Sequence, residues 1–151
     1  LNHVTADHFS GGFPILCLNY AIHAIEKLDL PAEQVIFCIQ TDHRNVKEKC
    51  WSKKGMMIIG TRNMWLYEDH PRRNIYSYYE LGINNDICFT LEFAIRFANF
   101  YGCHDFEIIS CDASATGAQG YYDRETICRW HPRQKVRIEK LCKTYKYITP
   151  S

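Results

Sequence analysis

Apolar residues in this chain come in short runs separated by longer stretches of helical period, the rhythm of an α/β protein built on a mostly parallel sheet. Residues 13–18 (FPILCL) read as a buried strand, and 19–28 as a helix with Ile22, Ile25 and Leu28 along one face. A second strand is expected over 35–39, where β-branched and aromatic residues lie between Pro31 and the polar Thr41-Asp42-His43. Residues 44–53 suit a short charged helix or turn, and 55–61 a third strand. From 62 to 85 the pattern dissolves into aromatics and charges, a length of irregular chain that compact domains usually keep for binding. The clearest helix is 86–101. Asp86 is placed to cap it, Glu92 and Arg96 stand i,i+4, and most other positions are apolar, so it should be buried on most sides. Gly102 should stop it. A strand over 106–111, a glycine-rich stretch over 112–120 and a last helix over 132–145 complete the pattern; Ile138, Leu141, Cys142 and Tyr145 form the stripe of that helix.

Composition narrows the class. A chain of 151 residues with 46% hydrophobic and 23% charged content suits one globular domain spanning 1–151. Its 18 Lys+Arg against 17 Asp+Glu give a net charge of +1, which argues against a nucleic-acid binder relying on bulk positive charge. The uncharged stretches 13–24 and 117–122 are too short or too polar to span a bilayer, and the first residues lack a basic-then-apolar signal pattern. There are eight cysteines and no CxxC pair; Cys17, Cys38 and Cys111 lie inside apolar runs, where cysteine behaves as a small core hydrophobe. Reduced cysteines and a cytoplasmic location are therefore expected. Cys128 and His131 have a C-x-x-H spacing that supplies half a zinc site, which Cys103, His104 or another group would have to complete.

Open parallel sheets bind ligands beyond the carboxyl ends of their strands, where this sequence concentrates polar residues. The expected strands end in Asn19, in Thr41-Asp42, in Thr61-Arg62-Asn63, and in Asp112 followed by Ser114 and Thr116. Each of these could equally cap the next helix; together they favour a ligand crevice. His131 directly precedes Pro132, a favoured first helical residue. At a helix N-terminus flanked by Arg129 and Arg133 its imidazole would stay neutral and could take a proton from an attacking hydroxyl, or serve only as a surface cap. Tyr121 and Tyr122 follow Gly117-Ala118-Gln119-Gly120 and could bond a phosphate without adding charge, although aromatic packing is the simpler reading. Packing is likewise expected of residues 64–67 (MWLY) and 76–79 (YSYY). Arg72 and Arg73 are the best cationic candidates for an anionic substrate.

Several segments together resemble a known family. Asn84-Asn85-Asp86-Ile87 leading into CFTLEFAIRFANFYGCHDFEIISCD is similar to the turn, apolar helix, Gly, strand and acidic end of the bacterial sialyltransferases of glycosyltransferase family 42. It resembles equally the related motility-accessory glycosyltransferase-like domains. FPILCLNYAI and EQVIFCIQTD are similar to the family's strands ending in Asn and Asp, and His131 followed by a helix ending EKLCKTYKY to its catalytic histidine and closing helix. The resemblance implies a Rossmann-like three-layer α/β/α domain. It also implies a CMP-sialic-acid-like donor, a glycan or other hydroxyl acceptor, and His131 as base. Asn19, Asp42, Asn84, Asn85 and Asp112 would then contact the donor, and Tyr121 and Tyr122 its phosphate. Family members often form oligomers, so a homo-oligomer fits. No strand-end DxD motif is present, and no metal or other cofactor is expected. The chain departs from the family in two ways. The family's first strand and glycine-rich loop are not represented ahead of Leu1, and Asn84-Asn85-Asp86 stands where the family has a TSG-like turn. A non-catalytic protein that keeps the fold for binding or assembly is the alternative expectation.

Overall fold

The computed structural model describes residues 3–41, 55–67, 74–84, 89–109 and 132–148. Strands β1 (Ile15–Leu18), β2 (Ile36–Gln40), β3 (Met56–Thr61) and β4 (Ile75–Ser77) form one sheet in the order β1-β2-β3-β4, with every pair parallel. A sheet of this kind is covered on both faces, which is why β2 and β3 are apolar at consecutive positions rather than alternating. A second parallel pair joins β5 (Glu107–Ile109) to β6 (Lys146–Ile148).

Helices lie on opposite faces of the four-stranded sheet. On one face α1 (Ile22–Ile25) buries Ile22 and Ile25 against Ile15, Cys17, Ile36, Cys38, Met57 and Ile59. On the other, α2 (Thr90–Phe100) packs Phe93 and Phe97 against Ile39 and Ile58, with Leu16, Leu18 and Phe37 beside them. Phe93 is fully buried because β3 carries Gly60 beneath it; a Cβ at that position would overlap the Phe93 ring. The far side of α2 packs Leu91 and Ile95 against Ile108 of β5, together with Leu141 of α3 (Pro132–Thr144) and Tyr145 just beyond it. The expected α/β class with a mostly parallel sheet is therefore the observed one.

Several elements differ from expectation. The helix expected over 19–28 is a 3₁₀ turn (Asn19–Ala21) followed by the single turn of α1, because Asn19 leaves β1 with a left-handed φ of 53° and Glu26 closes the helix. The excursion over 62–85 contains a fourth strand, β4, too short for its period to show in the sequence. α2 starts at Thr90 with Phe89 as its N-cap; the expected cap Asp86 lies outside the described residues. Glu92 does not pair with Arg96. One oxygen accepts the Phe89 N–H at 3.1 Å, and both oxygens face Arg137 of α3. At the other end Gly102 has φ 86°, and the bonds Cys103 N–H to Ala98 O and Gly102 N–H to Asn99 O close the helix, as its sequence led us to expect. The residues after α3 form β6 rather than a helix end. The segment 44–53 lies outside the described residues.

Candidate functional site

β1 ends in a sharp change of direction. Asn19 adopts a left-handed φ, which Asn reaches at lower cost than most side chains, and this turn sends the chain off the sheet edge into α1. Gln40, the last residue of β2, fixes the turn from below: its Nε2 donates to the Asn19 carbonyl at 3.1 Å. Gln40 has 0% exposure, and its Oε1 accepts no hydrogen bond from a described residue. On the opposite face, Thr41 and Thr90 share a hydroxyl–hydroxyl bond of 2.7 Å, and the Thr90 hydroxyl reaches the Asn19 carboxamide oxygen at 3.5 Å. Thr90 is the first residue of α2, so the first turn of that helix, with its outward N–H groups, is pinned over the carboxyl ends of β1 and β2.

The result is a cluster of uncharged groups, one carboxamide and two hydroxyls, beside the positive end of a helix dipole. The one acidic residue in the first turn, Glu92, is engaged by Arg137, whose guanidinium also lies 4.7 Å over the Phe89 ring. Uncharged donors and acceptors near a helix N-terminus suit an anionic or strongly polar ligand.

Of the residues singled out in the sequence, Asn19 takes part in this cluster. Asn84 is described and exposed, with no hydrogen bond to the cluster among the described residues. His131, Asp42, Asn85, Asp112, Tyr121 and Tyr122 lie outside the described residues, as do Arg72 and Arg73. The helix expected after His131 does begin at Pro132. Thr90 and Gln40 are additions. Gln40 lies one residue beyond the strand expected over 35–39, and Thr90 inside the helix expected over 86–101. At the end of β3, Thr61 turns its hydroxyl back to accept the Asn63 N–H at 3.0 Å, and Arg62 lies 5.9 Å over the Tyr78 ring. Tyr67 and Tyr78 are buried as expected of packing residues, whereas Met64, Trp65 and Tyr79 are exposed.

Cys17 and Cys38 are buried side by side in register across β1 and β2, and burial pushes the Cys17 thiol far above its usual range. Cys103 is free and exposed. Among the described residues no three His, Cys, Asp or Glu side chains gather as a metal site, and no helix is long and apolar enough to cross a membrane. Comparison of the chain with family models, with curated proteins and with solved structures finds no match.

Proposed function

We propose that this domain binds a nucleotide-activated sugar, a CMP-linked donor of the sialic-acid kind, at the carboxyl ends of β1 and β2 and transfers the sugar to an acceptor hydroxyl. The observation that carries the reading is the juxtaposition of the Asn19 turn with Thr41 and the first turn of α2. The carboxamide offers a donor and an acceptor to a base or ribose, and the helix end offers N–H groups to a phosphate. In the transfer, the acceptor oxygen bonds to the anomeric carbon, the sugar–phosphate bond breaks, and CMP leaves with the bonding electron pair. His131 takes the hydroxyl proton, the role that the family resemblance gives it.

Calorimetric titration with CMP tests the binding half. Asn19→Gly keeps the left-handed turn and removes the carboxamide, so it should weaken CMP by roughly tenfold, about 1.4 kcal/mol, with little change in melting temperature. A folded wild-type protein that gives no heat at millimolar CMP overturns the reading. The second reading, a non-catalytic domain kept for binding or assembly, is favoured by one observation. Thr41 and Thr90 bond each other, and Gln40 holds Asn19, so these groups already serve the fold. Unaltered binding of CMP in Asn19→Gly would point the same way.

A further inference from the structure

A row of aromatic rings runs between α2 and β4 and out to the surface. Tyr78 meets Phe93 at a ring separation of 5.8 Å and Tyr76 meets Phe97 at 5.2 Å, so α2 and β4 lie side by side and run in opposite directions. Past the core the row continues from Tyr76 to Tyr101 at 6.4 Å and from Tyr101 to Phe100 at 5.2 Å. Phe100 is 59% exposed and Tyr101 58%, and Tyr79, in the turn after β4, is 66% exposed. Single exposed apolar side chains are ordinary, whereas rings in contact with one another form a patch, and patches of this kind mark interaction surfaces.

Two opposite charges flank the row. Arg96 is exposed one helical turn before Phe100, toward the same flank of α2 as Phe93 and Phe97. Glu80 is exposed on the other side, next to β4, where its Oε2 accepts the Ser77 N–H at 2.8 Å. From β4 to α2 the surface therefore presents an anion, then uncharged rings, then a cation. A two-fold axis parallel to α2 lays such a surface on its own copy with the order reversed. The β4 side of one copy then faces the α2 side of the other, Glu80 meets Arg96 twice, and no like charges meet.

We infer that this row is the contact surface of a homodimer, with a second copy of this chain as the partner. Phe and Tyr are among the side chains that the centres of interfaces concentrate, with charges at the rim. Phe100, Tyr101 and Tyr79, with the edge of Tyr76, expose roughly 400 Å². Two copies with Glu80 and Arg96 at the rim then bury about 1,000 Å² in all, the lower end of specific association. The dimer is accordingly weak, with a Kd on the order of tens of micromolar, and its rim charges chiefly fix the orientation of the partner. Tyr101 follows the last turn of α2 and Thr90 opens the first, so this surface stands apart from the Asn19 cluster and does not depend on the proposed ligand.

Sedimentation equilibrium of the 151-residue chain tests it. Wild type should show a reversible monomer–dimer equilibrium between about 1 and 500 μM. Phe100→Glu should weaken it at least ~10-fold with an unchanged melting temperature, because the ring is largely outside the core. Arg96→Glu and Glu80→Arg should each dimerise poorly alone, since each brings like charges together. Mixed in equal amounts, those two variants should associate at least ~10-fold more tightly than either does alone, because both cross-pairs are then of opposite sign; an ion pair within one chain gives no such rescue. A chain that stays monomeric at 500 μM overturns the inference, whatever else covers the row. So does a dimer that Phe100→Glu leaves intact, and a mixture no tighter than its components overturns the two-fold pairing.

Discussion

At the scale of single residues, the structure assigns tasks that chemical type alone does not announce. Asn19 is a strand-end asparagine of the kind expected to touch a ligand, but its first task is conformational: it holds a φ of 53° and leaves its carbonyl to Gln40. Tyr76 is a sharper case. Its hydroxyl lies 2.7 Å from that of Tyr101, and its ring meets Phe97 and Tyr101 edge-on. The Tyr101 hydrogen bond, with burial second, favours the neutral phenol and pushes Tyr76 from 10.0 up to about 12. A raised value means that the folded protein holds this proton more tightly than the unfolded chain does. The stabilisation is then complete below pH 10 and is lost as the pH climbs through about 12. Tyr101→Phe should bring the Tyr76 titration back toward 10 and flatten the fall in stability across that window. NMR titration of the Tyr76 ring checks this, and a midpoint still near 12 in the variant would assign the shift to burial instead.

At the scale of elements, what decided legibility was length and the distance over which a pattern acts. β2, β3, α2 and α3 were readable because each repeats its period or its apolar run over five or more residues. β4 and β6 have three residues each, and nothing local separates Ile75-Tyr76-Ser77 or Lys146-Tyr147-Ile148 from irregular chain; their partners β3 and β5 make them strands. Glu92 shows the same limit for a side chain. Spacing along the helix pointed to Arg96, whereas the fold supplies Arg137 from 45 residues away. The strand-end polar set was readable in outline at Asn19 and Thr41, but Thr90 joins it only through the docking of α2. The Glu92–Arg137 fork is half-buried and two-pronged, and it ties the start of α2 to α3. A double-mutant cycle of Glu92→Gln and Arg137→Met should return a coupling of about 1 kcal/mol, since solvent still reaches both groups. A coupling near zero would leave the docking of α3, among the described residues, to Leu141 and the adjoining Tyr145.

At the scale of the whole molecule, α2 packs against both sheets. One side of the helix presents Phe93 and Phe97 to β2 and β3, and the other presents Leu91 and Ile95 to β5 and α3. Among the described residues the four-stranded sheet and the β5–β6 pair share no hydrogen-bonded edge, so their cohesion rests on packing, through this helix and through Leu18 beside Ile108 and Ile109 against the α1-face cluster. Phe93 is its most deeply set residue, seated on Gly60 at 0% exposure. Phe93→Ala should cost about 3–5 kcal/mol, because the ring leaves a cavity that neither Gly60 nor the buried Tyr78 can fill. The loss should also be shared. If α2 couples the layers, amides at Ile58 in β3 and Ile108 in β5 lose exchange protection together in the variant, and denaturant unfolding stays a single transition. If Ile108 keeps its protection while Ile58 loses it, the β5–β6 pair and α3 are a separate folding unit, and α2 is a lid on the larger sheet rather than the beam across both.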